Sequence, residues 1–100
     1  MKVKFRTNTL KKQYENSKKA ISSYGEQVAR KYIERINIIK KSNNIDELIA
    51  IRTLKCHPLK GADKGKWSIK LTGFMRLIFT LQGEKLEIVK IEEVSKHYDD

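Results

Sequence analysis

One cysteine, one proline and one tryptophan in 100 residues are low counts, and each scarcity removes a class of explanation. A lone thiol, Cys56, cannot close an internal disulfide, so an oxidised mini-scaffold is excluded. The two histidines have no Cys-x-x-Cys or His-x-x-x-His spacing to join, which leaves too few soft ligands for a zinc cage; no metal or other cofactor is expected. No stretch approaches the roughly 20 apolar residues of a membrane span. The amino terminus also lacks the shorter apolar run of a signal peptide, which predicts a cytoplasmic protein without a membrane partner. Acidic residues are scarce as well: 12 Asp and Glu against 22 Lys and Arg leave a formal charge of +10.

What is present suits a folded chain. With 39% hydrophobic and 34% charged residues and no low-complexity tract, the composition is that of a globule rather than a disordered tail. The length allows one domain over residues 1–100, so any function must come from a single site or face. The charge is unevenly placed. Residues 1–60 hold 15 basic and 5 acidic side chains, whereas residues 61–100 hold 7 of each, so the basic excess lies wholly in the first part. Lysine-rich helices can be merely solvated, but a pI of about 9.8 exceeds what solubility requires and favours a polyanionic partner such as nucleic acid.

Hydrophobic periodicity divides the chain in two. Val3 and Phe5 alternate with Lys2, Lys4 and Arg6, the mark of a short strand at or near a sheet edge. From about Thr9, Leu10, Tyr14, Ser17, Ile21 and Tyr24 recur at helical spacing, and this helix is expected to end near Ser22. Ser23 and Glu26 have capping-box spacing for a second helix, with Val28, Tyr32, Ile36 and Ile39 as its apolar stripe. Asn44 and Glu47 repeat that spacing ahead of a short third helix. After Pro58 the period falls to two. Trp67, Ile69 and Leu71, a turn at Gly73 and Phe74, then Met75, Leu77, Phe79 and Leu81 predict a hairpin; a further turn at Gln82 and Gly83 leads into a strand over 86–91. The expected fold is α+β: an N-terminal strand, two or three helices, then a three-stranded antiparallel meander with the helices packed on one sheet face. Arg76, opposite in phase to Met75 and Leu77, would look out from the other face, which can be concave and polar.

Three segments then stand out: Cys56-His57-Pro58-Leu59-Lys60-Gly61; Gly65-Lys66-Trp67-Ser68-Ile69-Lys70 leading to Met75-Arg76-Leu77-Ile78-Phe79; and Ser95-Lys96-His97-Tyr98. In this order they resemble the HigB branch of the RelE/ParE toxin superfamily over about residues 55–98, with the preceding helices agreeing in architecture only. The family has a His-x-Leu-x-Gly loop, a Trp-Ser-hydrophobic strand, an arginine within an Arg-hydrophobic-hydrophobic-Phe run, and a terminal His/Tyr pair. Several members end in Asp-Tyr-His, where this chain reads Lys96-His97-Tyr98-Asp99-Asp100. A His-Tyr ending also resembles another nuclease branch, in which a glutamate replaces His57.

The resemblance implies the toxin of a type II toxin-antitoxin system, a ribosome-dependent endoribonuclease that cuts messenger RNA with the RNA's own 2′-hydroxyl as nucleophile. Such chemistry needs a base, an acid for the leaving oxygen, and positive charge at the phosphate. By resemblance His57 is the candidate base and His97 the acid, with these labels exchangeable; Arg76 and Lys60 stabilise the phosphate, and Tyr98 stacks on a base or bonds to the phosphate. Lys64 and Lys66 are candidates for holding RNA backbone. The implied partners are a cognate antitoxin of helix-turn-helix, DNA-binding type, the ribosome with its message, and operator DNA only through the antitoxin complex.

Each residue also has an ordinary reading. His57 can be a loop residue, Arg76 can pair with Glu87 on a neighbouring strand, and His97 and Tyr98 can be a frayed end. Tyr14, Tyr24, Tyr32 and Trp67 read as packing residues, and Cys56 as inert. Two rival functions remain: a ParE-like toxin that inhibits DNA gyrase without nuclease activity, and a non-catalytic basic nucleic-acid-binding module. The joint presence of His57, Arg76, His97 and Tyr98 favours the nuclease over a gyrase binder. The absence of paired stacking aromatics and of a helix-turn-helix signature weighs against the binding module.

Overall fold

Val3 and Phe5 do form a strand, and the place it takes closes the sheet. In the computed structural model, which describes residues 1–96, β1 (Lys2–Phe5) runs parallel to the last strand, so the two ends of the chain's regular structure lie side by side. Between them come α1 (Asn8–Glu15), α2 (Ser17–Tyr24), α3 (Glu26–Lys41), α4 (Ile45–Ala50), a 3-10 turn at Arg52–Leu54, and β2 (His57–Pro58). A second 3-10 turn at Gly61–Asp63 leads to β3 (Lys66–Lys70), β4 (Met75–Gln82) and β5 (Ile88–Lys96). The sheet order is β1-β5-β4-β3-β2. The expected meander is its centre, framed by β1 on one edge and by the two-residue β2 on the other.

The helices cover one face, as their apolar stripes require. Tyr32, Ile36 and Ile39 on α3 are fully buried against Ile69, Leu77, Phe79, Val89 and Ile91 of the sheet. Burying each such side chain contributes about 1.5–3 kcal/mol. Trp67 stacks on Phe79 with ring centroids 6.4 Å apart, a core role. Tyr32 also carries its hydroxyl into the core, where it donates to the Leu10 carbonyl at 2.7 Å and ties α1 to α3. The Met1 amino group donates to the carbonyls of Ile39, Lys40 and Ser42, joining the start of the chain to the end of α3.

The helix boundaries differ from expectation for local reasons. The expected first helix is two helices, because Asn16 leaves helical geometry (φ −133°, ψ 105°) and its side chain caps α2 by accepting from the Lys18 amide at 3.0 Å. The break turns the stripe: Ala20 becomes the buried residue of α2, and Ile21 is 42% exposed. The Ser23–Glu26 box does not form. Gly25, at φ +82°, ends α2 and starts α3, and Ser23 instead accepts from Gln13 Nε2 at 2.9 Å. The second cap does appear: Asn44 accepts from the Glu47 amide at 3.1 Å, while the Glu47 carboxylate reaches back one residue past the cap, to the Asn43 amide at 3.0 Å. Leu86 lies outside β5, in the left-handed region (φ 53°) of a turn closed by its amide on the Gly83 carbonyl at 3.1 Å.

Candidate functional site

Strand register decides which polar residues share the face that the helices leave uncovered. His57 pairs with Ser68, Ser68 with Ile78, and Ile78 with Glu93, so these four lie in one row across β2, β3, β4 and β5, with Ser68 and the apolar Ile78 fully buried in it. The next row, two residues along, is Lys70, Arg76 and Ser95. On the other side lies the row of Lys66, Thr80, Lys90 and Lys4. Since side chains alternate between faces, all of these are opposite in phase to Trp67, Ile69, Leu77 and Phe79, which belong to the core. From strand spacing, His57 and Arg76 are about 12 Å apart at Cα on this face.

His57 is delivered by the shortest strand. Proline two places after Cys56 is tolerated because β2 is an edge strand, and the Leu59 amide still bonds to the Lys66 carbonyl at 2.8 Å. The imidazole Nδ1 lies 3.0 Å from the Pro58 carbonyl. A carbonyl oxygen only accepts, so Nδ1 carries a proton, and in the neutral ring Nε2 keeps the lone pair that a general base requires. Nε2 is shielded from solvent, so a substrate hydroxyl reaches it by displacing that shielding or drawing the ring outward. Beside it the Ser68 hydroxyl is fully buried and makes no hydrogen bond among the described residues.

Arg76 turns one guanidinium nitrogen back on the β3–β4 turn, donating from Nη1 to Gly73 O at 2.8 Å and to Met75 O at 3.1 Å. Its strand partner is Ser95, not Glu87, which lies before β5 and bonds to the Lys85 amide at 3.0 Å. Directly across β3–β4 from Arg76 stands Lys70. Like charges in directly opposed positions repel, so this pairing favours an anion over the two. From the helix side, Arg35 donates through Nε to the Lys70 carbonyl at 3.2 Å and fixes that point of β3 on α3.

The other expected residues divide. Lys66 is on the face, with Nζ 3.4 Å from Asp63 Oδ1, while Lys60 and Lys64 are exposed on the loop between β2 and β3 and no strand pairing directs them. His97 and Tyr98 lie outside the described residues. Cys56 is buried, and burial pushes its thiol up to about 12, which keeps it protonated and unreactive at neutral pH. A bulge opposite Ile78/Phe79 makes Glu92 the extra residue of β5, where it accepts from Thr80 Oγ1 at 2.8 Å and balances Lys90 at 3.9 Å. Lys70 and Ser68 were not singled out as site residues from sequence. Their alternation with Trp67 and Ile69 already placed them on the polar face, but only the pairing register sets Lys70 against Arg76 and Ser68 against His57. Among the described residues no three His, Cys, Asp or Glu side chains converge where a metal could sit.

Comparison with known proteins agrees with this fold. By fold the chain is similar to a YoeB/ParE toxin from Agrobacterium tumefaciens, with a TM-score of 0.58 and 22% identity over 98% of this chain and 100% of that one. It is also similar to the YoeB-YefM complex from Staphylococcus aureus (TM-score 0.62, 17% identity, 98% of each chain). YafQ from E. coli gives a TM-score of 0.60 at 15% identity, covering 94% of this chain and 90% of that one. No curated protein matches by sequence. Residues 3–94, which include every residue placed above on the polar face except Ser95, match the family described as the RelE-like toxin HigB of type II toxin-antitoxin systems. The chain therefore belongs to the HigB-like toxin family.

Proposed function

We propose that this toxin is an endoribonuclease that cuts messenger RNA on the ribosome without a metal. The observation that carries this reading is the shared outward face of His57 and Arg76, with Lys70 set opposite the arginine. A phosphodiester placed between these rows meets a proton acceptor at one end and two cations at the other.

The reaction is a transfer within the RNA. His57 Nε2 takes the proton of a 2′-hydroxyl as that oxygen bonds to the adjacent phosphorus. Arg76 and Lys70 balance the charge that grows on the non-bridging oxygens, and Lys66 and Lys60 hold the neighbouring backbone. The phosphorus–O5′ bond breaks, and the leaving oxygen takes a proton from a general acid, the role assigned by resemblance to His97, with Tyr98 against a base. The products are a 2′,3′-cyclic phosphate and a 5′-hydroxyl end. The positive field of the basic helices draws the protein to the ribosome.

Regulation follows by analogy. One Staphylococcus aureus neighbour is a crystal structure of a YoeB-YefM toxin-antitoxin complex, and here a cognate antitoxin is proposed, of the helix-turn-helix type that the family resemblance implies, through which the pair reaches operator DNA.

The test is to map message 5′ ends in a reconstituted translation reaction with wild type and with the His57→Ala/Arg76→Ala variant. New 5′-hydroxyl ends on translating ribosomes, absent with the variant, support the reaction and its residues. If neither protein cuts, the nuclease reading is abandoned and DNA gyrase becomes the target to assay.

A further inference from the structure

Ser68 keeps a hydroxyl where the sheet offers it nothing to bond. Its neighbour in the same row, Ile78, is fully buried and apolar, so packing alone would be served by an apolar side chain here. The hydroxyl is fully buried and makes no hydrogen bond among the described residues. Such an arrangement is unfavourable unless another state of the molecule uses the group.

The strand register names that state. Ser68 stands directly opposite His57 across β2 and β3, a pairing held in place by the bond from the Leu59 amide to the Lys66 carbonyl at 2.8 Å. Directly opposed residues have Cβ atoms about 4.5–5.5 Å apart, which puts a serine oxygen within reach of a ring nitrogen. His57 Nε2 and Ser68 Oγ are both shielded from water. Nδ1 is already tied to the Pro58 carbonyl at 3.0 Å, so Nε2 is the end of the ring that becomes a new donor when a second proton arrives.

We infer that Ser68 is a positioning residue for His57, its Oγ accepting from Nε2–H once the ring is charged. Its part in cleavage rests on the nuclease reading; the hydrogen bond itself does not. In the reaction proposed above, the proton leaves the 2′-oxygen for Nε2, and the ring turns that N–H toward Ser68 Oγ, which keeps its own proton. A hydrogen bond from a charged donor is about twice as strong as a neutral one, so Ser68 favours the charged ring and holds the proton away from the RNA. The other charged groups around His57 are Lys66 with its partner Asp63, Lys70, Arg76 and Glu93 on the sheet face, and Lys60 and Lys64 exposed on the loop after β2. None of them is altered in the variants below, so their field on the ring is common to all.

The experiment follows the His57 ring protons by NMR against pH in the full chain, with the signals assigned from a His57→Gln variant. Wild type, Ser68→Ala and Ser68→Cys are compared, and the same three proteins are run in the message-cleavage assay. Cysteine fills the space of serine but is a weak acceptor, so it separates hydrogen bonding from packing. In both variants the ring should take its second proton about one pH unit lower than in wild type, a change of about tenfold in proton affinity, and cleavage should fall about tenfold. Equal titration of all three proteins overturns the inference. So does a cysteine variant that titrates and cleaves like wild type, which would make Ser68 a packing residue. If wild type cuts no message, the nuclease reading fails by itself, and the titration still decides the hydrogen bond.

Discussion

Lys70 and Arg76 face each other across β3 and β4, two cations in directly opposed positions on the polar face of the sheet. Like charges in directly opposed positions are destabilising. Lys70→Gln should therefore leave the melting temperature unchanged or raise it, while message cleavage falls about tenfold or more. Thermal melts alongside the cleavage assay check this. A variant that loses stability and keeps full cleavage would show that Lys70 serves the fold alone.

Ser68 offers a second dissociation of stability from function. Its hydroxyl is fully buried without a hydrogen-bond partner among the described residues, and leaving such a group unsatisfied costs about 1–3 kcal/mol. Ser68→Ala removes the group and should stabilise the protein by about 1 kcal/mol in urea unfolding. A destabilised alanine variant would mean that the hydroxyl is satisfied in solution.

Tyr32 predicts the opposite sign. Its hydroxyl meets the Leu10 carbonyl at 2.7 Å inside the core, and Tyr32→Phe removes that bond, at a cost of about 0.5–1.5 kcal/mol. The loss should appear as faster hydrogen exchange in α1, since this bond is one of those that tie α1 to α3. Unchanged exchange and stability would refute it.

Burial pushes the Cys56 thiol up to about 12 from an ordinary 9.0. Above pH 9 the unfolded chain releases this proton and the folded chain keeps it, so unfolding is progressively favoured as pH rises toward 12. The wild-type unfolding midpoint should drop more steeply over that window than that of Cys56→Ala, and native Cys56 should resist alkylation at pH 8. Rapid alkylation without unfolding would contradict the burial.

The legible parts of this protein are those set by local periodicity. The alternation of Trp67, Ile69 and Leu71 with Ser68 and Lys70 placed β3 and its faces, and the Tyr32-Ile36-Ile39 stripe placed α3. Asn16 was less readable, because an asparagine inside a helical pattern can be a solvated interior residue or a cap, and only the angle between α1 and α2 selects the cap. The Ser23–Glu26 spacing fitted a box just as well as Asn44–Glu47 did. Gly25 and the pull of Gln13 on Ser23 decided against it. In the site, His57 and Arg76 were found from motif order, whereas Ser68 and Lys70 were passed over because their importance lies in what stands opposite them.

The sequence by itself determined the class of fold, the basic character and the two polar residues on which the proposed chemistry turns, because composition, period and motif are properties of neighbours along the chain. The tertiary structure decided the rest. It put β1 beside β5, made His57 an edge-strand residue in register with Ser68, and opposed Lys70 to Arg76. Those relations join residues far apart in sequence, and they come from burying the α3 stripe on one sheet face, which leaves the other face and the β1 edge to the charged side chains.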